Sequence, residues 1–278
     1  MAETTSIHPV AGRPDPGDPL ASEILRPGVA VLTFNRPERR NALSIAMLRR
    51  LAGELEWLAA EPAVRVVILR AEGPVFSAGL DLSEAANPDL AGESARCVGS
   101  AIHALKQSPL VSIAAVHGGA YAGGAGMVAA CDMAVGTDDL KIGFPEAQRG
   151  LLPALIAAAL RSKVREGDLA ELFLVGNAID ARRAREIGLL QRVVAPERLL
   201  EEALLMAEGV LKGGPRTIVD TKALLRRLYG HESARHGGDA DGVSRAIEEH
   251  LEARHSPEAA EGLRAFLEKR PPQWTVGR

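Results

Sequence analysis

An α/β fold with a helical carboxyl-terminal segment follows from three features of the sequence. Two β-branched, nearly continuous apolar runs stand at 64–69 and 111–116, a helix-periodic stretch lies between them at 95–106, and helical patterning takes over from 199 onward. Strands that are apolar on both sides are covered on both faces. Strand, helix, strand in that order implies a right-handed parallel crossover. At 278 residues the chain suits one large domain, or a main domain with an appendage. The expected division is a flexible leader at 1–21, an α/β core at 22–200 and a helical region at 201–278.

Taken in order, the leader is rich in Pro, Gly and Asp and has no periodicity. Residues 23–25 and 29–34, separated by Arg26-Pro27-Gly28, read as two strands and a tight turn. Ser44 is placed to cap a helix whose apolar positions Met47, Leu48, Leu51, Leu55 and Leu58 recur at three and four, and Pro62 ends it. Short strands are expected at 133–135 and 141–144, then a helix at 154–163 so rich in Ala and Leu that it reads as buried. Helices at 199–211, 217–229, 243–253 and 257–269 follow, punctuated by Gly213-Gly214-Pro215 and Gly237-Gly238.

Composition excludes several roles. With 33 basic and 36 acidic residues and a net charge of −3, there is no positive excess to hold a nucleic acid or an anionic membrane. Aromatic residues make up 3%, too few to stack bases. Cys97 and Cys131 are read as reduced, buried thiols of a cytoplasmic protein. No stretch has the charge and apolar pattern of a signal peptide, and the most apolar one, 151–160, is too short to span a bilayer.

Motifs narrow the chemistry further. No Gly-Lys pair occurs, so no P-loop is present. Ser77 lacks the glycine two residues before it that a nucleophile elbow needs. The pairs His231/His236 and His250/His255 are spaced five apart, on different helical faces, and read as solvated or capping residues; no metal site is expected. Gly124-Ala125-Gly126-Met127-Val128-Ala129 fits a dinucleotide fingerprint, but Asp132 and a new strand follow too soon for its long helix. A nicotinamide dehydrogenase is therefore an outside reading. His117 reads as a satisfied loop residue, Asp81 as a cap, and Asp132 as a hydrogen-bonding partner before its strand.

Two segments resist explanation as packing alone. Pro74-Val75-Phe76-Ser77-Ala78-Gly79-Leu80-Asp81-Leu82 leaves one parallel strand, and His117-Gly118-Gly119-Ala120-Tyr121-Ala122-Gly123-Gly124-Ala125-Gly126 leaves the next and opens a short helix. Both lie at carboxyl ends of adjacent strands, where open α/β sheets place ligands. Glycine permits close approach of backbone amides, and a helix start adds partial positive charge. Two converging amides would form an oxyanion hole.

These loops, with Phe34-Asn35-Arg36-Pro37, Asn41-Ala42-Leu43, the stretch 120–132, Phe144-Pro145-Glu146 and the tail Glu261-Gly262-Leu263-Arg264-Ala265-Phe266-Leu267-Glu268-Lys269-Arg270-Pro271, resemble the crotonase (enoyl-CoA hydratase/isomerase) family over about residues 23–272. The resemblance implies a spiral of β-β-α turns with a helical trimerisation region, assembled as a homotrimer or a dimer of trimers. It implies an acyl-CoA thioester substrate, with coenzyme A entering as part of that substrate and no separate cofactor. Its carbonyl would be held by the backbone amides of Leu80 and Gly123. The backbone at Ala78 would meet the adenine, and Phe266 with Lys269 would reach the CoA of a neighbouring subunit.

One departure is informative. Hydratases of this family carry two glutamates; here the first position is Gly126 and the second is Glu146. Hydration needs one group to activate water and another to deliver a proton, each worth about 10²- to 10⁴-fold. Double-bond isomerisation needs only one base, so Glu146 alone suffices and isomerisation is favoured. Hydration with a substitute acid, acyl-CoA decarboxylation, and a non-catalytic acyl-CoA-binding scaffold are the alternatives. A second departure is Leu151-Leu152-Pro153-Ala154-Leu155-Ile156, where hydratases are glycine-rich; these aliphatics serve either core packing or the acyl pocket.

Overall fold

The computed structural model describes residues 18–85, 87–149, 151–229 and 256–275. The leader as far as residue 17, the expected helix at 243–253 and the two histidine pairs lie outside the described residues. The chain divides into two compact units, one ending at Met206 and the other starting at Ala207.

The first unit opens with β1 (Leu20–Arg26) and β2 (Gly28–Phe34), an antiparallel pair in which Leu20 faces Phe34. Then follow α1 (Ile45–Ala60), β3 (Val64–Ala71), α2 (Leu82–Ala85), α3 (Pro88–Gln107), β4 (Val111–Val116), β5 (Gly119–Tyr121), α4 (Gly123–Ala130), β6 (Met133–Thr137) and β7 (Lys141–Gly143). After them come α5 (Ala154–Leu160), α6 (Glu166–Ala170), β8 (Ile179–Asp180), α7 (Ala181–Glu186), β9 (Arg192–Val194) and α8 (Leu199–Leu211), which runs on into the second unit. One sheet has the order β1-β2-β3-β4-β6-β9 and is parallel from β2 onward; a smaller one has the order β5-β7-β8. The units β1-β2-α1, β4-β5-α4 and β6-β7-α5 repeat the same β-β-α turn, so the expected spiral is the observed one.

The local reasons are those the sequence suggested. β2 and β4 are buried at every residue, as strands covered on both faces must be. The Ser44 hydroxyl accepts from the amide of Met47 and starts α1, a cap worth about 1 kcal/mol. Met47, Leu48, Leu51, Leu55 and Leu58 are all buried against the sheet side, and each such side chain contributes roughly 1.5–3 kcal/mol relative to exposure. Asp132 does what was expected: its carboxylate accepts from the amide and hydroxyl of Ser112 at 2.7 and 3.0 Å.

Three expectations change. The leader ends earlier, because Leu20, fully buried, already belongs to β1; the Pro- and Gly-rich composition before it hid that strand's start. The helix at 154–163 is shorter and not buried all round. Ile156, Ala159 and Leu160 face inward, while Leu155 on the same helix and Leu151 and Leu152 just before it are exposed, because apolar composition without periodicity conceals which face packs. Cys131 is buried, but Cys97 is only half-buried, since it sits at the edge of the packed stripe of α3.

In the second unit, α9 (Pro215–Tyr229) and α10 (Pro257–Leu267) follow the end of α8. α10 ends in a Schellman turn, with Arg270 N donating to Ala265 O at 3.0 Å and Lys269 in the left-handed region at φ 54°. Glu261, buried on α10, fastens this turn: it accepts from Arg270 Nη1 at 2.7 Å, from Arg264 at 2.9 Å and from the Gln273 amide at 3.0 Å. The hydrogen bond from Arg270 comes first among the causes that pull its carboxyl down to about 2. A depressed carboxyl stabilises the fold above its ordinary value of 4.5 and ceases to do so as the pH falls through about 2. Glu261→Gln is therefore expected to loosen α10 at pH 7. Amide exchange of residues 257–267 should show faster opening than in wild type at pH 7, and the difference should shrink as the pH is lowered from 4.5 toward 2.

Candidate active site

The site is built by stitching three loops together. The first runs from β2 to α1, where Arg40 and Asn41 both take positive φ, 50° and 51°. Asn41, fully buried, is the hub: its side-chain amide donates to Glu72 O at 2.7 Å and Val75 O at 2.9 Å, and its Oδ1 accepts from Arg36 N at 2.9 Å. The second loop is laid along the first. Ala78 N donates to Arg40 O, Leu43 N to Gly79 O and Asp81 N to Leu43 O, at 2.8 to 3.1 Å. Ser77 Oγ donates to Asn41 O at 2.8 Å, so this serine is a structural tie and not a nucleophile.

Alternation along this bridge sets the direction of the next amide. Gly79 O and Asp81 N point at Leu43, so the N–H of Leu80 between them points to the opposite side. On that side lies the third loop. Ser77 N donates to Gly119 O at 3.1 Å and Tyr121 N to Ser77 O at 2.9 Å, a short parallel bridge between residues 77 and 120. The approach is close enough that a Cβ on Gly124 would stand 2.6 Å from Ser77 Cβ. Only glycine allows it.

The third loop turns into α4 through Ala122, at φ 50° and ψ −121°, a conformation costing an L residue about 1–3 kcal/mol. What holds it is the Ala122 amide, which donates to Gly143 O of β7 at 2.9 Å. The strain presents the N–H of Gly123 at the start of a helix in which every residue is buried. A Cβ on Gly123 would lie 3.3 Å from Leu43 and 3.9 Å from Leu80, so residues 80 and 123 are immediate neighbours. Neither of their amides donates to another group among the described residues. A sheltered N–H without an acceptor is costly. Two N–H groups that converge, one of them at a helix start, can receive one polarised oxygen.

The same hydrogen bond to Gly143 places the acid. β7 ends there, and Phe144-Pro145-Glu146 follows at once, with Phe144 buried edge-on against Phe173 at 5.6 Å. Glu146 is half-buried, its Oε2 atom is shielded from solvent, and its carbonyl accepts from Leu151 N at 2.9 Å. Position 126 is closed to a larger side chain. A Cβ on Gly126 would overlap the Cγ2 methyl of Ile156 and lie 3.3 Å from its Cβ and 3.7 Å from Ile102 Cδ1.

Ala78 is exposed, and with its N–H spent on Arg40 its carbonyl is the group left for a ligand. Phe266 lies in α10 and exposed Lys269 just beyond it, both in the second unit. His117 is satisfied as expected, its Nε2 lying 2.8 Å from Gly73 O. Asp81 does more than cap Ser83: it also pairs with Arg36 at 3.0 Å. Burial pushes its carboxyl up, but the bonds from Ser83 and Arg36 outweigh that and hold it below the ordinary carboxylate value. The tie between residues 36 and 81 and the strained Ala122 carry no local sequence signal. They are visible only once the loops are side by side.

Comparison with known proteins agrees with this architecture. The sequence pattern of the enoyl-CoA hydratase/isomerase family matches residues 25–277. A candidate enoyl-CoA hydratase of Thermus thermophilus is 39% identical over 251 residues, 88% of this chain and 97% of its own. The mevalonyl-coenzyme A hydratase of Aspergillus fumigatus is 33% identical over 89% of this chain and 92% of its own. Among solved structures, the enoyl-CoA hydratase of Mycobacterium smegmatis superposes with a TM-score of 0.84 at 33% identity, covering 93% of this chain and 99% of that one.

The close approach at Gly124 has a measurable consequence. Gly124→Ala should cost about 1–3 kcal/mol by overpacking. Thermal melts check this, and an unchanged melting temperature would show that the two loops can part freely.

Proposed function

From the premise that the chain belongs to the enoyl-CoA hydratase/isomerase family of acyl-CoA enzymes, we propose that it relocates a double bond within an enoyl-CoA, using Glu146 as its one acid/base. The observations that support this reading are two amides without an acceptor among the described residues, at Leu80 and Gly123, and Glu146 three residues beyond the Gly143 carbonyl that holds Ala122.

In this reading the thioester oxygen accepts from both amides, each worth about 3–4 kcal/mol once negative charge gathers on that oxygen. Glu146 removes a proton from the carbon alpha to the thioester, the enolate delocalises over the double bond, and the same carboxyl returns the proton at the gamma carbon. No atom is gained or lost. The Ala78 carbonyl accepts from the adenine amino group, and Phe266 and Lys269 reach the CoA of a neighbouring subunit in a trimer or a dimer of trimers. Coenzyme A arrives with the substrate, and no other cofactor takes part. The two free cysteines suit a cytoplasmic setting.

Hydration is the second reading, supported by the names of the relatives from Thermus thermophilus and Aspergillus fumigatus. Parallel assays of 3-enoyl-CoA isomerisation and crotonyl-CoA hydration separate the two. Silence in both, with CoA binding by calorimetry, would instead favour a non-catalytic scaffold. Glu146→Gln should lower turnover by about 10²-fold or more while leaving CoA affinity and melting temperature unchanged. Near-normal turnover in that variant would remove Glu146 from the mechanism.

A further inference from the structure

We propose that Ile156 is a specificity-determining residue of this site: it fills the volume over Gly126 and keeps water from the substrate carbons, so that proton relocation prevails over water addition. The proposal rests on the functional reading above and deepens it.

Gly126 stands one turn beyond Gly123 on α4, and residues three apart share a helix face. The direction in which a side chain at 126 would leave that face is occupied by the Cγ2 methyl of Ile156 from α5, with Ile102 of α3 3.7 Å from the same point. Ile156 is 3% exposed, whereas its neighbours Leu151, Leu152 and Leu155 are 57%, 84% and 42% exposed. It is therefore the residue of that apolar run turned toward α4. A β-branched side chain is stiff at χ1 and cannot swing clear.

The chemical consequence follows from what this face offers a water molecule. A buried water is held by about two to four polar partners. A bare glycine flanked by two isoleucine side chains supplies no side-chain donor or acceptor there. Water addition requires a water whose oxygen bonds to the beta carbon while one proton goes to the alpha carbon and the double bond is consumed. Isomerisation requires no water at all. The Gly126 and Ile156 pair thus removes the acid and the space for water together, and leaves an apolar wall that an acyl chain can lie against.

The test uses the full-length protein, with hydration of a 2-enoyl-CoA and isomerisation of a 3-enoyl-CoA measured side by side. Ile156→Ala should raise hydration relative to isomerisation about tenfold, the size of one lost discriminating contact. Ile156→Leu, which removes the Cγ2 methyl while conserving volume and so endangers folding least, should raise it in the same direction. Leu160→Ala, a comparable cavity one turn further along α5, should shift it by less than about twofold. An unchanged ratio in Ile156→Ala overturns the proposal. So does an equal shift in Leu160→Ala, which would mean general loosening. Should Ile156→Ala fail to fold, an unchanged ratio in Ile156→Leu overturns it as well. A wild type active on the 3-enoyl substrate with an unmoved ratio in the variants defeats this inference alone; a wild type silent on both substrates defeats the functional reading beneath it.

Discussion

Two backbone amides left without an internal acceptor are the constraint around which the rest of this structure is arranged. Folded chains pair their buried N–H groups almost without exception. Here the N–H groups of Leu80 and Gly123 have no acceptor among the described residues, and the loops carrying them are pinned on their other edges. Leu43 takes up the groups on either side of Leu80, and Gly143 holds Ala122 in a conformation it would not adopt alone. The buried hub at Asn41 serves the same end, since two of its hydrogen bonds tie the first loop to the end of β3 and the start of the second loop and a third closes the first loop on itself. Stability is thereby given up locally, at the amides and at Ala122, and recovered in the surrounding network.

That arrangement leaves two donors for an acceptor but does not set a reaction. What reaction follows depends on which proton-transfer groups stand nearby, and here the packing is asymmetric. On one side β7 delivers Glu146, a carboxylate at the edge of solvent with one oxygen shielded. On the other, α4 presents glycine to isoleucine, and aliphatic contact replaces the polar group that water addition calls for. The two departures noticed separately, at 126 and at 151–156, are one event in three dimensions, since the small residue and the large one fill each other's space.

Much of this was legible in the chain. Continuous β-branched runs predicted β3 and β4, the three-four stripe after Ser44 predicted α1, and the glycine-rich loops at adjacent strand ends marked where two backbones approach closely. These signals are local, and local propensity and periodicity survive folding when the whole sheet agrees with them. The resemblance carried by the loop motifs and the tail then supplied the family that the comparisons support.

The remainder needed coordinates. The start of β1 at Leu20, the outward face of Leu151, Leu152 and Leu155, and the half-exposure of Cys97 turn on which neighbours cover a residue. Composition does not encode that. The Arg36 to Asp81 pair spans 45 positions, and the meeting of Gly126 with Ile156 joins two helices. The sequence by itself determined the elements, the glycine positions where backbones can approach, and the identities of Gly126 and Glu146. Tertiary structure decided which amides are left without an acceptor among the described residues and which residue fills the space over Gly126, because those outcomes belong to distances between segments far apart along the chain.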